Sequence, residues 1–324
     1  MLLPTTILRA ARNGFGLPRG RVRLLSTRFG KLCLAHAAQN GERTQLRLVR
    51  VQPETALRLH AEMRWLLHLT DRHCLAVPRP HRWRDGALLS PELTNARGER
   101  WHAVACSWVP GHHLDRGLRA RHFRGAGALL ARLHLANSDA PTGIAAARPT
   151  WWIPRLFELA TTLRDVVHDA MPLPPSLTPA LAAGLRHAAA ALQAEHDALP
   201  RDDRHTGIIH TDAHWQNMRF TEERIGIVDF EDFANGRFML DVACLWGRVQ
   251  DRRDAPALLD AILSGYDSVK PLPASHRRDL RLMLAFRRFD YAGWVLSWPR
   301  ADFEAWGPAL LSGTPAYIQR LLAT

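Results

Sequence analysis

Two short stretches constrain this chain more than any other: HTDAHWQN, residues 210–217, and IGIVDF, residues 225–230. The first follows an apolar run and gathers two histidines, an aspartate and an asparagine. The second ends an apolar run on Asp229, twelve positions beyond Asn217. Between them, an apolar strand, the turn-forming TEER and a second strand read as a β-hairpin. A loop carrying Asp212 and Asn217, then a hairpin, then Asp229 can converge three oxygen ligands on one point. Carboxylate and amide oxygens are hard donors, the kind Mg²⁺ accepts while phosphates complete its shell.

Two chemistries compete for the first stretch. His210, Asp212 and His214 alternate, so on an extended segment they point the same way, as ligands of a first-row metal can. A zinc hydrolase would want a further His, Cys or carboxylate at compact spacing, and it leaves Asn217 without a task. His-x-Asp-x-x-x-x-Asn is also the spacing of a phosphoryl-transfer catalytic loop. In that reading Asn217 and Asp229 hold the metal, and Asp212 orients and deprotonates an acceptor hydroxyl.

The remaining composition narrows the class. A chain of 324 residues, 47% hydrophobic and 23% charged, suits two domains sharing a substantial core. No apolar run approaches the roughly 18 to 20 residues of a membrane helix. The N-terminal MLLPTTILRAARNGFG reads as a first helix, not an export signal. Cys33, Cys74, Cys106 and Cys244 are far apart with no CxxC pair, which argues against a zinc knuckle or disulfide scaffold and for a cytoplasmic protein. The formal charge is +12, yet only Lys31 and Lys270 among the 43 basic residues are lysines. The arginines are dispersed and interleaved with acids, as in RDDRH at 201–205, so no phosphate-tracking stripe forms and a nucleic-acid partner is not expected.

Organisation follows from periodicity. RVRLLS (21–26), KLCLAHA (31–37) and TQLRLVRV (44–51) read as strands, PETALRLHAEMRWLLHLT (53–70) as a helix, and GALLSPEL and WHAVACSWV as two more strands. After PGHHL (110–114) the texture becomes helical, at 125–138, near 176–198, and in two stretches from about 255 to 296. The expected fold class is α+β and bilobal, with a small β-rich lobe over 1–108, a linker near 107–111, and a larger, mainly helical lobe over 109–324 carrying the catalytic hairpin.

On these motifs the chain resembles the aminoglycoside phosphotransferase/choline kinase superfamily of protein-kinase-like enzymes. Within it the sequence is most similar to the branch of stress-response and homoserine-kinase-like members. The likeness runs through VRLLS, LRLVR with HAEMRWL, SWVPG, ALLARLH, GIIHTDAHWQN, IGIVDFEDFANGRFMLDVA and SGYDSVKPLP. The resemblance implies a catalytic Asp212, magnesium ligands Asn217 and Asp229, a loop-propping His210 and a bracing carboxylate at Asp241. It also implies a β3 cation at Arg47 paired with Glu62, Ser26 in the phosphate-covering loop, and a hinge at Cys106 to Trp108 that meets adenine.

Three departures stand out. The β3 cation is Arg where others carry Lys, a planar fork instead of a point charge. The loop STRFGK has one glycine. Glu231 follows Asp229-Phe230 where protein kinases have Gly; it and Asp232 could serve as a second metal contact or a loop cap. The resemblance implies ATP and Mg²⁺ as cofactors, a small-molecule hydroxyl as acceptor, and a monomer or homodimer. A protein Ser/Thr acceptor and a catalytically silent nucleotide-binding module are the alternatives. Trp151, Trp152, Trp294, Trp298 and Trp306 are candidates for a cage around a quaternary ammonium, with core packing the plainer reading.

Overall fold

A computed structural model of the chain describes residues 4–28, 30–114, 117–148, 150, 177–297 and 306–323. It divides into two compact units, one of Met1–Leu118, Leu135–Arg148 and Trp215–Phe233, the other of Arg119–His134, Pro149–His214 and Ala234–Thr324.

The first unit is built on alternation. Strands β1 (Gly20–Arg28), β2 (Lys31–Ala38), β3 (Arg43–Arg50), β4 (Leu93–Thr94) and β5 (Arg100–Ser107) form an antiparallel sheet in the order β1-β2-β3-β5-β4. Successive strand residues face opposite sides. Leu32, Leu34, Leu46, Leu48, Trp101, Ala103 and Ala105 therefore share one face, packed against Ile7, Ala11 and Phe15 from helix α1 (Thr5–Gly14) and the turn after it. The same periodicity sends Cys33, Arg47 and Val104, which are in register across three strands, to the other face. Helix α2 (Thr55–Asp71) covers that face, where Met63 meets Cys106. One residue of register would have put Arg47 in the apolar layer under α1.

Of the expected strand over GALLSPEL only Leu93 is in a strand, as the first residue of β4. Pro91 has no amide to give a ladder, and the Ser90 hydroxyl stands in for a backbone acceptor, taking the Ala103 N–H at 2.8 Å. The hairpin does form as expected, from β6 (Met218–Phe220) and β7 (Ile225–Ile227). Thr221 closes its turn through its amide and hydroxyl against Arg224, and Ile227 donates to the Ala76 carbonyl.

The second unit is mainly helical, with α3 (Ala120–Leu135), α4 (Pro179–Asp197), α5 (Met239–Gly247), α6 (Ala255–Asp267), α7 (His276–Ser297) and α8 (Gly307–Leu322). Thr178 caps α4 by accepting the Leu181 N–H, with Pro179 at its first position. A two-stranded antiparallel sheet joins β8 (Thr206–Ile209) to β9 (Ala234–Arg237). Helices α3 and α6 cross closely because Gly127 faces the Ile262 carbonyl and Gly265 the Arg124 carbonyl, where a Cβ on either glycine would collide with backbone. Strand β9 and helices α5 and α8 lie outside the sequence expectation. ANGR has neither alternation nor β-branched residues, and α8 carries Pro315 in its interior.

Candidate active site

In the second unit β8 delivers the chain into the loop His210–His214. Asp241, on the first turn of α5 and fully buried, accepts the backbone N–H groups of His210 and Thr211, each at 2.8 Å. Its Oδ2 also meets His134 Nε2 at 3.0 Å, and His134 Nδ1 meets the Tyr266 hydroxyl at 2.8 Å. A line of buried polar groups from α6 through α3 and α5 therefore ends on two amides of this loop. Thr211 takes a left-handed φ of 72°, with its carbonyl against the Cys244 thiol at 3.1 Å. A non-glycine residue held there points to surroundings that over-determine the loop.

Asp212 comes next and is clasped by two cationic or polar partners. Arg287 Nη2 lies 2.5 Å from Oδ1, and His214 Nε2 lies 3.2 Å from Oδ2. Burial opposes ionisation of this carboxyl, but the His214 hydrogen bond and the Arg287 charge outweigh it and hold the group well below the usual carboxylate range. Arg287 is itself held by Asp290 at 3.3 Å and the Tyr291 hydroxyl at 3.2 Å. His210 is fully buried, with Nδ1 at 3.3 Å from the Asp212 amide. Among the described residues, the group of donor atoms with metal-ligand spacing lies elsewhere and includes neither His210 nor His214.

In the first unit the pair expected between β3 and the helix is present. Arg47 Nη2 lies 2.5 Å from Glu62 Oε2, with both side chains buried. Arg47 Nη1 is also 3.5 Å from Glu231 Oε2, which Lys31 Nζ approaches to 3.2 Å. Burial works against the Arg47 charge, yet the Glu62 and Glu231 carboxylates over-compensate and raise its pKa. Arg148 holds the segment after Asp229 from behind, donating to the carbonyls of Glu231 and Phe233 at 2.6 Å each. Asn217 stands at the start of the hairpin and its carbonyl accepts the Val228 N–H at 2.9 Å. Asp229, exposed, follows the hairpin at φ 72°, the second left-handed residue in a candidate motif.

The other sequence candidates are spread along the sheet. Ser26 is exposed on β1 and registers with Cys33, whose thiol burial pushes up despite the nearby Arg47 charge and the Ser26 hydroxyl. Cys106 is buried, and burial drives its thiol up to about 12. The amides of Ser107 and Trp108 are already donated, to Arg79 O at 2.8 Å and Arg43 O at 3.0 Å. The Trp108 ring lies under the Arg43 guanidinium at 3.8 Å. Trp151, Trp152 and Trp298 lie outside the described residues, as does the side chain of Trp294, and Trp306 is exposed at the start of α8.

Residues 36–278 match the model of the phosphotransferase enzyme family, APH. The chain belongs to this family. The APH match contains Arg47, Glu62, Cys106, Trp108 and the whole stretch from His210 to Asp241; Ser26 and Arg287 fall outside it. A homoserine kinase from Acidiphilium cryptum (strain JF-5) is 32% identical over 231 residues, covering 69% of this chain and 66% of that protein. The match thus spans just under two-thirds of that relative's own length. Two solved structures share the fold. One is amicoumacin kinase hAmiN in complex with AMP-PNP, Ca²⁺ and Ami (TM-score 0.79, 16% identity, 96% of this chain and 93% of that one). The other is a microcompartment-associated aminopropanol kinase (TM-score 0.79, 20% identity, 98% of each).

Sequence reasoning had no access to Arg287. It lies 75 positions from Asp212, inside FRRFD, where nothing in spacing or residue type separates it from Arg288. Lys31 left a faint mark, as one of only two lysines in an arginine-rich chain.

Proposed function

We propose that this APH-family protein is an ATP- and Mg²⁺-dependent phosphotransferase that moves the γ-phosphate to the hydroxyl of a small amino alcohol, of the homoserine or aminopropanol type. The observation that carries the reading is the state of Asp212. It is a carboxylate kept ionised by Arg287 and His214, on a loop whose backbone Asp241 pins from below. An acceptor-orienting base must be charged and fixed before substrate arrives, and this arrangement meets both needs. The names of the relatives support the choice of acceptor. From residue 251 onward the arginines and Lys270 outnumber the acidic residues, which argues against a polycationic acceptor.

Each chain group has a definite task in this reading. Asp212 accepts a hydrogen bond from the acceptor hydroxyl, aims its oxygen at the phosphorus, and takes the proton as the new P–O bond forms and the bond to ADP breaks. Asn217 and Asp229 supply an amide and a carboxylate oxygen, a donor set that suits Mg²⁺. Mg²⁺, when bound, neutralises charge on the phosphates. Arg47 and Lys31 share one oxygen of Glu231, so either can turn to a phosphate while the other keeps that carboxylate compensated. With the Ser107 and Trp108 amides engaged in the sheet, adenine is left to the carbonyls of the 106–108 segment and the amide of Val109.

The deciding experiment is acceptor-dependent ADP release, screened over homoserine, amino alcohols, amino sugars and Ser/Thr peptides, with Mg²⁺ and then with Mg²⁺ withheld. Turnover on an amino alcohol that falls by about 10²–10⁴ in Asp212→Asn supports the reading. Nucleotide binding with no turnover on any acceptor, unchanged in Asp212→Asn, would replace it with a silent nucleotide-binding module.

A further inference from the structure

A second constellation lies in the first unit, where α2 ends. His68 Nε2, on the last turn of α2, is 3.2 Å from His73 Nε2 and 3.3 Å from Asp139 Oδ1. His73 Nε2 is 2.9 Å from the same Asp139 oxygen. The carbonyl oxygen of Ala136 approaches His68 Nε2 to 3.1 Å. We propose that His68, His73 and Asp139 form a zinc site that fastens the end of α2 to the 3₁₀ turn Ala136–Asp139.

Hydrogen bonding alone does not account for the arrangement. An imidazole Nε2 carries either one hydrogen or one lone pair. His68 Nε2 faces three heavy atoms, one of them another imidazole nitrogen that is also turned on the shared carboxylate oxygen. A divalent cation resolves all of these approaches together, because every one of these atoms can present a lone pair to it. The spacing agrees. Ligands bound tetrahedrally to zinc at about 2.0–2.1 Å stand about 3.3 Å from one another, and the three side-chain separations here run from 2.9 to 3.3 Å. Two imidazoles and one carboxylate select zinc over magnesium or calcium, which take oxygen shells. A fourth donor would be the Ala136 carbonyl oxygen, which lies 3.1 Å from His68 Nε2, or a water.

The ligands are also held and accessible. Trp65 stacks on the His68 ring, with centroids 5.4 Å apart and planes at 23°. The His73 ring stands edge-on to His68 at 4.8 Å. His68 is buried, His73 half-buried and Asp139 exposed, so an ion can enter from the solvent side without unfolding anything. Bound there, it would brace α2, the helix that carries Glu62.

The test uses the full-length protein, stripped with chelator, dialysed, and titrated with Zn²⁺ alone against a zinc-binding dye. Wild type and His60→Gln, an exposed control on α2, should each take one tight equivalent. Asp139→Asn and His73→Gln should bind it at least 10- to 100-fold more weakly. Zinc should raise the melting temperature of the first two by several degrees and leave the other two unmoved, and Co²⁺ should give the intense visible bands of a four-coordinate site only in the first two. Asp139→Asn changes an exposed residue, so its fold survives whatever becomes of His73→Gln. No tight equivalent in wild type, or undiminished uptake by Asp139→Asn, would overturn the proposal.

Discussion

Arg287 Nη2 lies 2.5 Å from Asp212 Oδ1, which ties helix α7 to a loop 75 residues earlier in the chain. Arg287 is 9% exposed, and its own pKa is driven up by surrounding acidic groups in spite of burial. The Asp212 carboxyl is thus held toward its charged form, at the expense of basicity. Brønsted behaviour makes so acidic a carboxylate a weak proton acceptor, so in the proposed reaction Asp212 would act mainly by orienting the hydroxyl.

Removing Arg287 should therefore change the pH profile as well as the rate. The folded-state pKa of Asp212 is depressed, so the stability linked to its ionisation is fully present above the unfolded value of about 3.9 and is lost as pH falls from there through the lower folded-state value, where the carboxylate itself protonates. In wild type the acid limb of kcat should not belong to Asp212 anywhere near neutrality. In Arg287→Gln the pKa rises toward the ordinary range. The limb then moves to higher pH, and kcat at neutral pH falls by about 10- to 100-fold through lost orientation. Profiles of kcat against pH for the two proteins decide it; superimposable acid limbs would mean that Arg287 does not control the charge of Asp212.

Asp241 is predicted to be a keystone of stability. It accepts two loop amides and His134 from full burial. Asp241→Ala leaves buried donors without acceptors at about 1–3 kcal/mol each, so a loss of about 3–5 kcal/mol is expected in denaturant unfolding. Asn retains one acceptor oxygen and should lose less. Hydrogen exchange at the amides of His210 and Thr211 should quicken in both variants before the protein unfolds globally.

The sequence made parts of this legible for a physical reason. The hairpin and α2 rest on local signals, turn chemistry in TEER and helical period in HAEMRWLL, whereas the Arg47–Glu62 pair is legible only through the family resemblance, which places a cation and an acid at those positions. Arg287, the Tyr266–His134–Asp241 line and the sharing of Glu231 by Arg47 and Lys31 arise between segments far apart in sequence, where single residue types carry no distance information. Strand β9 escaped because ANGR is set by its pairing with β8, not by its own propensity. GALLSPEL misled because Pro91 interrupts an otherwise strand-like run.

Gly265 is expected to tolerate no side chain. A Cβ there collides with the Arg124 carbonyl of α3, and backbone cannot yield as a flexible side chain can. Gly265→Ala should separate α3 from α6 and pull Tyr266 away from His134. The melting temperature should fall by several degrees. The Tyr266 phenol, now held above its ordinary pKa by burial and the Asp241 charge, should titrate at lower pH in an ultraviolet titration. An unchanged melting temperature and phenol titration would show that the crossing adapts.

The Arg47–Glu62 pair offers a test that separates charge from geometry. Both side chains are buried, so breaking the pair from one side leaves an uncompensated charge, worth about 3–5 kcal/mol, while replacing both partners with apolar groups can be nearly neutral. Glu231 softens the loss on the Arg47 side, because it lies 3.5 Å from the same guanidinium. Glu62→Gln should thus destabilise less than Arg47→Met, which strands Glu62, and the double variant Arg47→Met/Glu62→Gln should recover part of the loss. Arg47→Lys keeps the charge but cannot reach Glu62 and Glu231 together as the planar fork does. It should therefore unfold at slightly lower denaturant and raise KM for ATP several-fold with a smaller change in kcat. Guanidinium unfolding of the four variants, with KM for ATP measured on Arg47→Lys, is the check. Strictly additive single-variant losses would show that Arg47 and Glu62 are not energetically coupled.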